Sequence, residues 1–587
     1  MTDFVLTTGS DTFPDGLQDN SGDDVISGLA GMDIIHGGAG NDLINGGTEQ
    51  DTLFGDDGDD GIDLGLLPLG DVADGGSGVD TVSIHFDGVI NLATDKPVRV
   101  VAEFSTGAWS VLVDGITGPT LSNFEALDID CGDAGDRIVG GAGADTISGA
   151  GGNDLLRGGA GADWIAKTWG HYDVQGGTGR DVLAVSLANE KNPGAALIFD
   201  ALAGTISAGA ATHGNFGGFE TYVIGGTLKD DIIVLDSGDD QAFGNDGADQ
   251  ITLGSGDDLG DGGLGADVIF GGNGQDTLNA GDVGTGPVQA ADQLYGGTGN
   301  DQLFVFSPGS GSVLTYSGSV FSGGGGADLL EFAGALATLD LTGATISGIE
   351  TLSYSTTFSF SVRMTAGQVN GVANYQTGRL EVMTAGALVM TGDLFMTSIT
   401  LFSGGQSLDL SASTKPFSDF GPAVIGGLGD DVVIGSARRD SFAGAGGADD
   451  LQGGAANDTL VGGAGADRLT GGADQDTFTF NFASDSAAGQ ANRDVITDFQ
   501  VAAGNGATFV DKLVFSLIDA SAAGPGNEAF AFIGTNAFTA EAQLRVTQMT
   551  ATDTLIELNT TGTGGADMQI VLLNFQASTF TTADFIG

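Results

Sequence analysis

Aspartate recurs every nine residues along this chain, each time followed by a short apolar triplet, and that register constrains the fold more than any other feature. The first run is Asp24, Asp33, Asp42, Asp51 and Asp60. The second is Asp136, Asp145, Asp154 and Asp163, which passes over one turn through KTWGHYDVQ and resumes in register at Asp181. A third holds Asp231, Asp240, Asp249, Asp258, Asp267 and Asp276, followed after an insertion by Asp292 and Asp301. A fourth holds Asp431, Asp440, Asp449, Asp458, Asp467 and Asp476. Isolated copies stand at Asp80 in GGSGVDTVS and at Asp328 in GGGGADLLE. A period held across four separated tracts is a repeat architecture, in which each unit buries its apolar face by stacking on the next.

The unit reads G-G-x-G-x-D-x-U-x with U apolar, and its best copy is GGAGNDLIN at 37–45. Glycines admit positive φ at little steric cost, which suits them to a tight turn. In the triplet after the aspartate, the middle side chain (Ile35, Ile44, Ile147, Ile269, Leu469) is expected to point inward and its neighbours outward. Turns stacked at the roughly 4.8 Å spacing of a sheet bring carboxylates and turn carbonyls of neighbouring coils together. Such an oxygen-only set suits Ca2+, which takes about 6 to 8 oxygens in flexible geometry, better than Mg2+. One cysteine and four scattered histidines offer no ligand set for zinc or copper.

This unit resembles the RTX nonapeptide of hemolysin-type calcium-binding proteins. The resemblance implies an all-β chain of parallel β-roll or β-helix, two units to a coil, with the aspartates named above as ligands of multiple Ca2+ ions. Composition agrees, since 78 Asp and Glu against 17 Lys and Arg leave a formal charge of -61. About twenty bound ions would neutralise much of it. Without them the same aspartates repel one another and the rolls should be disordered. Weaker sites are expected where Ala456 and Asp474 replace the fourth-position glycine, where GSARRD at 435–440 brings in two arginines, and where GGTEQD places Glu49.

Between the runs, β-branched and aromatic residues alternate with Ser and Thr, as in DTVSIHF and FSFSVRM, which reads as strand. The organisation expected is roll 1–80, insert 81–130, roll 131–186, insert 187–225, roll 226–306, insert 307–425 with one repeat near 323–331, roll 426–476, and a C-terminal domain 477–587. The inserts are expected to extend one β-coil; separate sandwiches are the alternative. No segment sustains an apolar 3.6 period, so helices should be few.

The segments TFTFNFASDSAAGQANRDVITDF, DKLVFSLIDA, ADMQIVLLNF and TTADFIG resemble, over roughly 471–587, the C-terminal domain behind the β-roll of serralysin-type secreted proteases. That implies an uncleaved signal read by a type I ABC exporter, and a secreted protein, extracellular or on a bacterial surface. It fits a start, MTDFVLTTGSDTFPDG, without the charged and apolar regions of a Sec signal. Where relatives carry an acidic D-x-N-G-D-G-x-A-D loop, ELNTTGTGGAD stands at 557–567, and no calcium is expected there.

No H-E-x-x-H or G-x-S-x-G is present, and His36, His85, His171 and His213 lack a helical i, i+4 partner. No catalytic residue is therefore assigned. A polysaccharide-modifying β-helix enzyme would use Asp, His, Tyr and Arg on a solvent groove, and candidates such as His171, Tyr172 and Asp173 occur in the turn that breaks the second run. The first expectation is a self-assembling surface protein, an S-layer or filament subunit, forming a homo-oligomer or array, with surface polysaccharide as a further candidate partner. A polysaccharide-modifying enzyme and an adhesin or matrix-binding module are the alternatives. The acidic balance argues against nucleic acid, and no apolar run is long enough to span a membrane. Cys131 stands alone, so no intramolecular disulfide forms.

Overall fold

The computed structural model describes residues 2–13, 21–66, 68–86, 90–91, 96–97, 99–105, 108–187, 195–208, 211–282, 290–307, 313–334, 338–354, 361–376, 378–413, 420–501, 510–521, 528–562 and 564–586. Two compact units result, one of residues 1–282 with 292–301 and the other of 283–291 with 302–587. Both are β-structure. Among the described residues the helices are one short α-helix, Ala366–Asn370, and one 3-10 turn, Ala577–Thr579.

In the first unit each nonapeptide contributes one glycine-rich turn and one short strand, and successive strands alternate between two parallel sheets. One ladder runs Asp24–Ser27, Leu43–Asn45, Gly61–Leu66 and Thr81–His85; the other runs Ile34–Ala39, Thr52–Asp57 and Val72–Asp74. The inward residue of every triplet stacks on its counterpart one coil away. Ile26 pairs with Ile44 and Ile44 with Ile62, while Ile35 pairs with Leu53. Ile35, Ile147, Ile269 and Leu469 are 0% exposed and Ile44 1%, whereas Leu43, one residue before Ile44, is 54% exposed. The alternation follows from the period-2 geometry of a strand.

The first two inserts are neither sandwiches nor plain extra coils. In the first, Val72–Asp74 pairs parallel with Ile116–Ser122, which runs antiparallel to Ala108–Val113, itself antiparallel to Val100–Ser105. Val100–Ser105 then pairs parallel with Arg137–Val139 and the roll resumes. On the opposite sheet the same interval holds one parallel strand, Ala126–Asp130, between Thr81–His85 and Thr146–Ser148. The second insert repeats the design. Ala211–Gly217, Thr205–Ala208 and Leu197–Asp200 form a meander between Gly170–Thr178 and Ile232–Val234, opposite Thr221–Gly225 alone. Each time, one rung of a single sheet is widened into three.

In the second unit the chain winds at first through three parallel ladders. These are Gln302–Ser307, Leu329–Gly334, Thr351–Tyr354 and Asn374–Gln376; Val313–Thr315, Thr338–Asp340 and Ser361–Met364; and Val320–Gly325 with Thr345–Ser347. Further on, two ladders carry the fourth run. They continue past residue 476 through Thr477–Thr479, Lys512–Val514 and Phe585–Ile586 on one face, and through Asp494–Ile496 and Met568–Leu572 on the other. The boundary expected at 476 is thus crossed by both sheets. An antiparallel pair, Gln543–Gln548 with Thr554–Asn559, closes the second face against Met568–Leu572.

Candidate metal centre

The turns are held in register by the aspartates themselves. The backbone N–H of one aspartate donates to Oδ1 of the aspartate one coil on: Asp24 to Asp42 (2.8 Å), Asp33 to Asp51 (2.9 Å), Asp42 to Asp60 (2.8 Å) and Asp60 to Asp80 (2.8 Å). The same bond joins Asp136 to Asp154, Asp145 to Asp163, Asp163 to Asp181, Asp231 to Asp249, Asp240 to Asp258, Asp249 to Asp267 and Asp258 to Asp276. It bridges the insertion from Asp267 to Asp292 and Asp276 to Asp301. In the fourth run it joins Asp431 to Asp449, Asp440 to Asp458, Asp449 to Asp467 and Asp458 to Asp476. Every aspartate expected from sequence, Asp328 included, is at most 3% exposed.

One carboxylate oxygen is therefore spent on the ladder. The other, Oδ2, is buried without a hydrogen-bond partner at Asp33, Asp42, Asp60, Asp80, Asp136, Asp163, Asp181, Asp240, Asp249, Asp258, Asp267, Asp276, Asp449, Asp458, Asp467 and Asp476. A buried charged oxygen left bare is costly, so its presence in row after row points to a missing counter-charge. Burial pushes Asp42, Asp60 and Asp80 up to about 6, Asp249, Asp258, Asp276 and Asp449 up to about 7, and Asp458 up to about 8. Like charges in neighbouring coils add to the rise at these turns.

Carbonyls supply the rest of the oxygen surface. At the fourth glycine of the turn, a Cβ built on Gly256 (φ +147°) would lie 1.8 Å from the carbonyl oxygen of Gly238, and one on Gly465 1.6 Å from that of Gly447. At the second, a Cβ on Gly272 (φ +121°) would lie 2.0 Å from the Gly254 oxygen. At these glycines the turns are so close that only hydrogen fits against the stacked carbonyls. Among the described residues no three carboxylate or imidazole side chains converge on one point. A cation between two turns thus takes most of its ligands from backbone oxygens, which fits a hard, flexible, oxygen-seeking ion of calcium's kind.

Not every turn is open in this sense. Asp145, Asp231, Asp431 and Asp440 fold Oδ2 back onto their own turn, accepting from the N–H of Gly141 (2.6 Å), Thr227 (2.5 Å), Gly427 (2.9 Å) and Ser436 (2.7 Å). Asp231 and Asp431 open their runs after an insert, and Asp145 is the second aspartate of its run. Asp154 also differs, because its Oδ2 meets the ammonium of Lys167 at 2.5 Å. The turn through KTWGHYDVQ is a half-coil in register, with Tyr172 opposite Asp154, and it is not skipped.

Substituted glycines keep the turn at a conformational cost. Ala456 holds φ +71°, Asp474 +79° and Glu49 +81°, all left-handed. In the 557–567 loop, Asp567 Oδ2 accepts from the N–H of Thr560 (2.7 Å) and Thr561 (2.9 Å), so threonines satisfy it.

Several ladder residues have no nonapeptide to announce them. Asp71 accepts from the Asp51 N–H (3.2 Å), Asp494 from Asp467 (2.9 Å) and Asp511 from Asp476 (2.9 Å). Asp494 Oδ2 is buried and bare, and burial pushes its carboxyl up to about 9. Each stands directly before a triplet with an apolar middle residue (VAD, VIT, KLV), which is the signal that could have found them. After each meander, and within the three-sided stretch, a glutamate takes the aspartate's place on the ladder. Glu125 Oε2 accepts from Asp80 N–H (2.9 Å), Glu220 from Asp181 (2.8 Å) and Glu350 from Asp328 (2.8 Å). The shared text is Phe124-Glu125-Ala126-Leu127, Phe219-Glu220-Thr221-Tyr222 and Ile349-Glu350-Thr351-Leu352.

His171, Tyr172 and Asp173 do not form a joint site. Tyr172 is buried in the core, and Asp173 pairs with Arg157 at 2.5 Å. His36 pairs with Asp56 and His85 with Asp130, each at 3.0 Å, and the side chain of His213 lies outside the described residues. Cys131 is fully buried.

The family of RTX calcium-binding nonapeptide repeats matches residues 18–53, 36–66, 132–165, 225–260, 254–282, 289–304, 425–460, 444–478 and 452–487. The repeats bind multiple calcium ions. Among solved structures, the chain is similar to the R3 subunit of the Azotobacter vinelandii mannuronan C5-epimerase AlgE6, at 26% identity over 27% of this chain and 78% of that one, with a TM-score of 0.21. It is similar also to the R2 subunit of the same enzyme, at 27% identity over 28% and 91%, with a TM-score of 0.22. No curated protein matches the chain at a significant level.

Proposed function

We propose that this chain, an RTX-repeat protein by its nonapeptides, is exported unfolded by a type I exporter, folds on extracellular calcium and serves as a structural subunit of a bacterial surface array. The observation that carries the reading is the row of buried, bare Oδ2 oxygens. At cytosolic calcium they oppose folding, and in an extracellular medium, where sites of about 10^-4 to 10^-3 M fill, they are neutralised. The structural half is supported by the sheets of each unit, which carry repeats and inserts on the same ladders. A stiff body of that kind suits a load-bearing or lattice role better than a mobile one.

Electron microscopy of the purified chain with calcium and with chelator tests the proposal. Ordered sheets or fibres that dissolve in chelator are the expected result. Monodisperse particles in calcium would overturn the array, and activity of such particles on uronic-acid polymers would favour the polysaccharide-modifying alternative.

A further inference from the structure

In the second run, the turn that lacks both its first glycine and its aspartate carries its own cation. In the nonapeptide frame, Lys167 stands where the first glycine of the turn belongs and Tyr172 where the aspartate belongs, with Gly170 opposite Gly152 and Tyr172 opposite Asp154 of the preceding coil. The Lys167 side chain is 0% exposed, as is that of Asp154. Its Nζ lies 2.5 Å from Asp154 Oδ2 and donates to the carbonyl oxygens of Trp169 (3.0 Å), Gly152 (3.1 Å) and Ala150 (3.5 Å). Ala150 and Gly152 are the second and fourth residues of their turn, the positions whose carbonyls stack from coil to coil elsewhere in the roll. The Tyr172 ring sits 5.0 Å from Nζ, within reach of a cation–π contact.

We propose that Lys167 is a covalently attached substitute for calcium at the Asp154 turn, so that the coils around it stay folded when the metal is withdrawn. The ammonium touches one carboxylate oxygen and three carbonyls, the same kinds of oxygen that the open turns present. Charge is balanced by the second substitution. A divalent ion between two standard turns meets an aspartate from each, whereas here one ammonium meets one aspartate and Tyr172 removes the other. A lone lysine dropped into a standard turn would leave a carboxylate over; a lone tyrosine would leave a divalent site short of charge. The paired change leaves neither. This inference rests on calcium binding by the nonapeptides and is independent of the array.

Hydrogen exchange of the full chain, read by mass spectrometry at pH 8 with calcium and with chelator, tests it. In chelator, amides of residues 150–178 are expected to exchange at least tenfold more slowly than those of residues 240–276, and with calcium both stretches are protected. Lys167→Met should abolish the chelator-resistant protection. Lys167→Gly with Tyr172→Asp, which restores the standard turn, should make the stretch lose protection in chelator and regain it with calcium. Equal loss from both stretches in the unaltered chain, or protection in chelator that survives either variant, overturns the role of Lys167 and leaves calcium binding standing. Protection of both stretches in chelator overturns calcium-driven folding itself, and this inference with it.

Discussion

Withdrawing calcium at two pH values puts the buried carboxylates to a quantitative test. In the third run, burial pushes Asp249, Asp258, Asp276 and Asp292 up to about 7 and Asp240 and Asp267 up to about 6. An aspartate in an unfolded chain titrates near about 3.9. Between those values the metal-free folded coil holds protons that the unfolded chain has released, so its stability is fully present below about pH 4 and is lost as the pH rises through 6 to 7. At about 1.4 kcal/mol for each pH unit of that gap, each group costs about 3 to 4 kcal/mol by pH 8. Halving this for solvent that reaches the turns still leaves about 10 kcal/mol over the run, comparable with the whole stability of a domain, ~5–15 kcal/mol. Calcium reverses the sign by occupying the oxygens, and protons compete with it in the same window. Far-ultraviolet circular dichroism should show full β-structure with calcium at pH 8, its loss over the repeats in chelator at pH 8, and its recovery in chelator at pH 5 with a midpoint between about 6 and 7. A chelated chain that keeps its full β-signal at pH 8, or stays soluble and unfolded at pH 5, refutes the reasoning.

Glu220→Ala should strand the buried Asp181 N–H and destabilise the second meander by about 1 to 3 kcal/mol, while Glu220→Gln keeps an acceptor there and costs far less; local hydrogen exchange at residues 181–186 separates the two. Ile269→Ala, fully buried between Ile251 and Leu294, should cost about 2 to 5 kcal/mol in the calcium-loaded protein, seen as a lower thermal midpoint. Ala456→Gly should relieve a left-handed alanine at φ +71° and stabilise its turn by up to about 1 kcal/mol once glycine's larger unfolded-state freedom is subtracted. Gly465→Ala, whose Cβ would fall 1.6 Å from the Gly447 oxygen, should do the reverse and raise the calcium concentration needed for folding.

The repeats were legible because their period is local: nine residues carry the turn, the carboxylate and the inward apolar side chain together. Ile35 and Ile44 follow directly from the triplet, and so does the burial of Asp33 and Asp42. The meanders were legible as strands but not as the widening of one sheet. That outcome is decided by which strand edge Ile116–Ser122 and Val100–Ser105 find, and no spacing records it. Lys167 was hidden for another reason. A turn that has lost its glycine and aspartate reads as decay, and only the position of Nζ among the oxygens of the preceding coil shows a replacement.

The ladder from Asp N–H to the next Oδ1 joins what the sequence presents as separate things. Asp476 bonds Asp511 at a separation of 35 residues and Asp80 bonds Glu125 at 45, against 18 within a run, yet each bond holds the same rung. The chain can therefore lengthen the path between two turns freely, provided that an acidic side chain waits at the far end to receive the N–H. In the standard runs the same carboxylate that sets the register leaves a second oxygen, such as Oδ2 of Asp42 or Asp249, buried and bare where a cation between the turns would meet it. Register and, on the proposed reading, calcium binding would be two uses of one side chain, so a coil that slips would lose its sites and a coil without calcium would lose what holds its carboxylates in. At the glutamate rungs the structure shows the register function alone. Those rungs should then stay in place on the ladder without adding to the number of ions bound, a count that native mass spectrometry of Glu125→Gln, Glu220→Gln and Glu350→Gln variants should leave unchanged. Loss of ions from any of them would make the glutamates ligands as well.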